Sequence, residues 1–214
     1  MLASRMPSQA SFSGVVLAVQ PRVLLHRSFD QRHEEYLGYV LRVGGHLDGR
    51  PRTFLVGISE ADQERAELQA GDHVEGEGER VYDHRTEISD LAEVTVLRAI
   101  MRVSGRPRKG PPKLGLPVSL NEYRERGFRR LDEQTFETRC DTCVWACEMA
   151  VEMIIDHWNR SNVDWRTETF CFGPLNCRRY RAGPTRTVPG RKGMVYEEED
   201  WVDQDATGHR EDDE

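Results

Sequence analysis

The five cysteines are the feature that most constrains this chain, because all of them lie between residues 140 and 177 of its 214 residues. They include two pairs, Cys140 with Cys143 and Cys171 with Cys177, which residues 144–170 separate. A Cys-x-x-Cys turn brings two sulfur atoms to one ion, and a second loop returns two more. The pattern therefore predicts a four-cysteine metal site, with Zn²⁺ as the ion and a [4Fe–4S] cluster as the alternative.

The cysteine spacing leaves other interpretations open. The gap between Cys171 and Cys177 is wider than is usual in a zinc ribbon. Disulfides are disfavoured by the odd number of cysteines, whereas buried thiols that pack as small apolar side chains remain an alternative. Cys147 follows Cys143 by four residues, on one face of a helix predicted over 142–158. It is expected to be a core residue there, or an alternate ligand if the site holds a cluster.

Residues 12–99 carry a β-rich pattern with one helix in its middle. The alternation of apolar side chains predicts strands, and Ser59 with Asp62 predicts the start of a short helix that ends at a Gly-Asp turn. The five predicted strands lie at about 15–25, 36–43, 53–58, 73–82 and 88–97.

This order of three strands, a helix and two strands resembles the OB-fold, the five-stranded Greek-key barrel. The segment Leu68-Gln69-Ala70-Gly71-Asp72-His73-Val74 adds to the resemblance, because a leucine, a Gly-Asp turn and a valine strand recur in such barrels. An SH3-type barrel is the main alternative, and the helix predicted between the third and fourth strands favours the OB-fold. The expected fold class is mainly β with an α+β C-terminal part: an OB-type barrel plus a small cysteine-rich metal-binding module.

Differences in charge and composition along the chain indicate where its segments begin and end. The net charge is −7, but residues 197–214 alone hold ten acidic residues and one arginine. A second helix is predicted at 121–131, with Asn121 as its N-cap. The expected organisation is a disordered N-terminus at 1–11, the barrel at 12–99, a basic Pro/Gly-rich linker at 100–120, the cysteine module at 121–194 and an acidic tail at 195–214.

Several classes of function receive no support from the sequence. It contains no apolar run long enough for a membrane span, no apolar signal-peptide core, and no Walker loop, GxGxxG, HExxH or GxSxG motif. We therefore assign no catalytic residue and expect a non-catalytic, cytoplasmic protein with no membrane partner.

The OB resemblance implies a nucleic-acid-binding accessory protein that holds single-stranded DNA or RNA on strands two and three and the adjoining loops. Aromatic rings would stack on bases and basic side chains would pair with phosphates. The candidate residues are Tyr36, Arg42, Arg52, Phe54 and Arg85 of the barrel, with Arg106, Arg108 and Lys109 of the linker. The alternatives are an iron–sulfur protein or a protein–protein adaptor in a nucleic-acid-processing or redox complex, with the acidic tail as a docking segment for a protein partner.

Overall fold

The structure is a computed structural model that describes residues 8–29, 31–102, 110–159 and 161–210. The protein is mainly β, as expected. Its strands are β1 (Gln9–Arg27), β2 (Arg32–Leu47), β3 (Arg50–Ile58), β4 (His73–Arg80), β5 (Leu91–Met101), β6 (Arg129–Arg130), β7 (Ala146–Ile154), β8 (Val163–Cys171), β9 (Arg186–Pro189) and β10 (Val195–Glu198). Its α-helices are α1 (Glu60–Ala66), α2 (Leu120–Arg126), α3 (Glu133–Thr135), which continues as a π-helical turn over Phe136–Cys140, and α4 (Asp200–Thr207), and a 3₁₀ turn spans Arg191–Gly193.

Eight strands form one sheet in the order β2-β3-β5-β4-β1-β7-β8-β6, and β9 and β10 form a separate hairpin. Strand β1 also pairs with β2, so the first five strands close into a ring. Within that ring β3 and β5 are parallel, and the other pairs are antiparallel. The order of three strands, a helix and two strands is therefore confirmed, and β1 begins at Gln9, inside the segment expected to be disordered.

Two irregular points let the long strands bend around the ring. The register of β1 against β2 shifts between Val16 and Ala18 and again between Arg22 and Val23. Gly38, beside the second shift, has φ +119°, and a Cβ there would lie 2.2 Å from the carbonyl oxygen of Ile58. Only glycine fits so close an approach in this conformation, so β2 can turn from β1 toward β3 at that residue.

The helix between β3 and β4 starts as expected. The side chain of Ser59 accepts a hydrogen bond from the Asp62 amide, and the Asp62 carboxylate accepts one from the Ser59 amide. Helix α2 differs from the prediction, because Ser119 caps it instead of Asn121, and it ends at Gly127 (φ +63°) before reaching residue 131.

The helix predicted over 142–158 is wrong, because this segment contains strand β7. Its Leu24-to-Arg27 neighbours on β1 pair with it in parallel, and β8 pairs with it on the other side. A strand that is covered on both faces carries a nearly continuous apolar run. Over nine residues such a run also contains the apolar spacing that is typical of a helix. The β-branched Val151 and Ile154 favour the strand.

The parallel pairing of β1 with β7 joins the ring and the cysteine-rich part into one sheet and one hydrophobic core. On the ring side the core contains Phe12, Leu41 and Phe54. On the other side Tyr123 and Phe172 pack edge to face with ring centroids 5.1 Å apart.

The acidic segment after residue 195 belongs to the fold as far as residue 210. Glu198 is buried and forms an ion pair with the buried Arg27 at 3.0 Å. Asp203 of α4 accepts hydrogen bonds from the backbone and side chain of the buried Arg130, and Asp200 also pairs with that arginine. The described acids expected to form a docking tail are thus partly used inside the molecule.

Candidate metal centre and basic surface at the cysteine loops

The β7–β8 hairpin brings both cysteine pairs to one of its ends. In its register Ala146 lies opposite Cys171, and the Phe172 amide donates to the Trp145 carbonyl at 2.8 Å. The Cys140–Cys143 turn comes just before β7, and the Cys171–Cys177 loop begins where β8 ends. An antiparallel hairpin therefore places two loops that are distant in sequence side by side.

The first cysteine loop is a tight turn held against the ring. The Cys143 amide donates to the Cys140 carbonyl at 2.9 Å, and the Lys113 amide donates to the Cys143 sulfur at 3.3 Å. Gln20 of β1 donates its side-chain amide to the Cys143 carbonyl at 2.9 Å. Arg42 of β2 donates to the Asp141 carbonyl at 3.2 Å, so the ring fixes the position of this turn.

The second loop is compact and is held through its carbonyl groups. The Gly173 amide donates to the Cys171 sulfur at 3.3 Å, and the Cys177 amide closes a turn onto the Pro174 carbonyl at 3.2 Å. Arg129 donates to the same Pro174 carbonyl at 2.8 Å, and its guanidinium stacks on Tyr180. The peptide backbone thus points an amide at one sulfur in each of the two loops.

The four paired thiols influence one another electrostatically. Burial is the largest of the effects that raise the pKa of Cys140 to about 12, and the nearby thiols of Cys143, Cys171 and Cys177 add to it. Burial likewise raises the pKa of Cys171 to about 11. The Cys140 and Cys171 thiols are therefore protonated near neutral pH when no cation is bound, because burial disfavours the charged thiolate and neighbouring thiols add to that effect.

Cys147 stands apart from this group. Its side chain is 0% exposed on β7, in the core, and its register partner is Phe170. Burial raises its pKa far above the ordinary value, and of the four paired cysteines only Cys171 contributes. Cys147 therefore fits the expected role of a core residue better than that of a ligand.

No three His, Cys, Asp or Glu side chains within the described ranges already stand as a group that could hold a metal ion. The prediction of a Zn²⁺ or [4Fe–4S] site is therefore supported by the backbone positions of the two loops and by the cysteines on them. The metal site stays a prediction.

A basic surface surrounds the cysteine loops. Five cations form no ion pair with a carboxylate in the described part of the chain. We name them the cysteine-loop cations: Lys113, Arg139, Arg178, Arg179 and Arg181. Arg139 and Arg179 meet directly, because Arg179 donates to the Arg139 carbonyl at 3.0 Å. Glu137 and Asp141 flank Arg139 in sequence, but neither forms an ion pair with any of the five.

The arginines on the ring differ from these five cations in their ion pairs. Most of the ring arginines form an ion pair with a carboxylate on the ring itself. The pairs are Arg22 with Glu87, Arg52 with Asp90, Arg65 with Asp62, Arg80 with Asp48, Arg85 with Asp83, Arg98 with Glu75 and Arg102 with Asp72. The cysteine loops therefore carry a group of five cations without carboxylate partners, whereas the other exposed cations without an ion pair among the described residues, Arg50, Arg124 and Lys192, lie on separate elements.

The predicted nucleic-acid residues are scattered. The outward orientation expected for Phe54 is wrong, because its side chain is 2% exposed and packs edge to face on Phe12 inside the ring. Tyr36 is half-buried, with the Arg124 guanidinium 4.7 Å above its ring, and burial raises its pKa. Arg42 is also half-buried and holds the first cysteine loop, so neither residue forms part of an open binding face.

Arg52 and Arg85 are exposed as expected, but each pairs with an aspartate. The three linker candidates Arg106, Arg108 and Lys109 lie outside the described residues. Of the cysteine-loop cations, the sequence pointed to Lys113 as a basic linker residue that would add affinity for nucleic acid, but not to the four arginines. The available signal was the basic run 178–192, which contains no acidic residue.

The described helices include none with the length and hydrophobicity needed to cross a membrane. In comparisons with known proteins, the chain matches no protein-family model, no curated protein and no solved structure.

Proposed function

We propose that this protein is a non-catalytic accessory protein that binds single-stranded nucleic acid, with the phosphate contacts on the cysteine-loop cations. The observation that carries the proposal is the contrast in charge pairing. Most exposed arginines on the ring are neutralised locally, with Arg50 as an exception, whereas these five cations have no carboxylate partner in the described ranges. Unpaired, exposed Lys and Arg side chains are what a polyphosphate backbone needs, because each contact releases a condensed counterion.

The topology of the ring supports the proposal. We infer that the ring is an OB-type barrel, since its strands close in the order β1-β2-β3-β5-β4-β1, β3 and β5 are parallel, and α1 connects β3 to β4. OB barrels bind single strands across strands two and three. Here the first cysteine loop contacts β2 through Arg42, which places that loop beside the strand.

The test is the salt dependence of binding to a fluorescent single-stranded oligonucleotide, followed by anisotropy with DNA and with RNA. We expect the double variant Arg178→Ala/Arg181→Ala to bind more weakly and to show a shallower dependence on salt. Each lost phosphate contact should reduce the slope of log K against log salt by about 0.7.

The matched control is Arg65→Ala/Arg85→Ala, which removes two equally exposed arginines that already have carboxylate partners on the ring. This variant should bind like the wild type. An equal loss in both double variants would mean that only total charge matters, and would overturn the proposed location. No binding of the wild type at low salt would overturn the function.

A further inference from the structure

We propose that Cys140, Cys143, Cys171 and Cys177 bind one structural Zn²⁺ ion, and that Cys147 is not a ligand. This inference does not depend on nucleic-acid binding. It rests on the two cysteine loops that the hairpin brings to one end, and on the amide hydrogen bonds to the sulfur atoms of Cys143 and Cys171.

The hairpin provides the geometry. Residues 144–170 run out along β7 and back along β8, so the two cysteine loops leave the same end of one rigid unit. One loop supplies two thiols across a turn, in which Cys143 N–H donates to the Cys140 carbonyl. The other supplies Cys171 at the end of β8 and Cys177 after the turn at Pro174. Four thiols from two adjacent turns are the donor set that tetrahedral Zn²⁺ prefers.

Two backbone amides are placed to stabilise ligand sulfur atoms. Backbone amides of Lys113 and Gly173 point at the sulfur atoms of Cys143 and Cys171, each at 3.3 Å. Amide donors that reach ligand atoms from the surrounding shell stabilise the charge on those atoms and orient them. A Cβ at Gly173 would lie 3.3 Å from the Cys171 sulfur, so a side chain at that position would crowd the sulfur.

The proposed site assembles when the ion binds. Each thiol turns about a single side-chain torsion, which moves its sulfur among three staggered positions without moving the backbone. The two loops are meanwhile fixed from outside by Gln20 and Arg42 on one side and by Arg129 on the other. Binding of the ion would therefore release protons from the thiols, form four metal–sulfur bonds and stabilise the hairpin end.

The position of Cys147 removes one argument for an iron–sulfur cluster, because a fifth cysteine favours a cluster only where it can act as a ligand. In a cluster site Cys147 could act as a ligand, but the register partner of Cys147 is Phe170 and its side chain has no exposed surface. The four remaining thiols account for one tetrahedral ion.

The experiment uses the full-length chain purified anaerobically without a metal-chelating step, with elemental analysis and an absorption spectrum. We expect one zinc per chain and no visible colour. Replacement of zinc by cobalt should then give the intense visible bands of tetrahedral cobalt thiolate. Several irons per chain with a brown colour would overturn the assignment, as would a folded protein that contains no metal.

Two serine variants make the assignment specific to residues. Cys177 is only half-buried, so Cys177→Ser should fold and lose the zinc and the cobalt bands. Cys147→Ser is the matched control and should retain both. Loss of metal from the Cys147 variant together with retention in the Cys177 variant would contradict the proposal. If the Cys177 variant does not fold, chelation of the wild type followed by zinc titration measures the same stoichiometry.

A metal-free protein that still binds the oligonucleotide would refute this inference and leave the proposed function intact. A protein that contains zinc and does not bind the oligonucleotide would refute the proposed function and leave this inference intact. The two proposals therefore fail independently.

Discussion

At the scale of single residues, Ser59 shows how a local pattern fixes structure. Its hydroxyl caps α1, and Asp62 completes a capping box. We predict that Ser59→Ala lowers the free energy of unfolding by about 1 kcal/mol, because an amide at the helix start loses its acceptor. Urea denaturation measures this loss. Asn121→Ala is the control, since Asn121 was expected to cap α2 but Ser119 does so, and this variant should change stability much less.

The same capping box predicts a pH dependence. Burial acts to raise the pKa of Asp62, but hydrogen bonds from Ser59 and Arg65 outweigh it and hold the pKa below its usual value. The native state therefore binds the proton less tightly than the unfolded state. The stabilisation from Asp62 is present above its unfolded pKa, about 3.9. It is lost as pH falls through the folded pKa, so Asp62→Asn should flatten the stability profile below pH of about 4.

Residue-level reasoning succeeded where the deciding interactions are local in sequence. The box of Ser59 and Asp62 spans three residues, and the turn at Gly71 and Asp72 is equally short. It failed where the decisive partner is distant. Phe54 alternates like a residue on an open face, but the closure of the ring determines which side of β3 faces inward. Nothing near Gln20 in the sequence indicates that it holds the Cys143 carbonyl.

At the scale of elements, β7 and α4 show what tertiary context decides. The apolar run of β7 fits a helix or a buried strand, and pairing with β1 and β8 selects the strand. The acids of α4 were expected to extend into solvent, but Arg130, which is 1% exposed, requires anionic partners in the interior. A buried arginine with no partner would cost several kcal/mol, so the acidic segment folds back.

Two aspartates of α4 give a matched test of that contact. Asp203 is largely buried and holds both the backbone and the side chain of Arg130, whereas the Asp200 side chain is 81% exposed. We predict that Asp203→Ala lowers the free energy of unfolding by about 3 kcal/mol, because it removes the largely buried carboxylate and leaves Arg130 only the exposed Asp200 as an anionic partner. Asp200→Ala should cost less than about 1 kcal/mol. Guanidinium denaturation of both variants measures the difference, and equal small losses would contradict the role assigned to α4.

At the scale of the whole molecule, β1 is the element that connects the two parts of the chain. Its first half pairs with β4 in the ring, and its last residues pair with β7 of the cysteine-bearing hairpin. The sequence suggested two modules joined by a linker, because composition changes near residue 100 while strand pairing across that boundary leaves no local signal. The cysteine pattern predicted two loops that meet at one ion, and the β7–β8 hairpin places both loops at one of its ends, whereas the metal site itself stays a prediction.

This continuity predicts that ring and hairpin unfold together. All four tryptophans, at 145, 158, 165 and 201, lie in the C-terminal part, so their fluorescence reports on that part alone. Leu41 is fully buried within the ring. In a single cooperative unit, Leu41→Ala should lower stability by about 2–5 kcal/mol and shift the fluorescence transition as much as the far-UV circular dichroism transition. Leu116→Ala, at a half-exposed position, should shift neither. A Leu41 variant that shifts the dichroism transition and leaves tryptophan fluorescence unchanged would show that the two parts unfold separately, despite the pairing of β1 with β7.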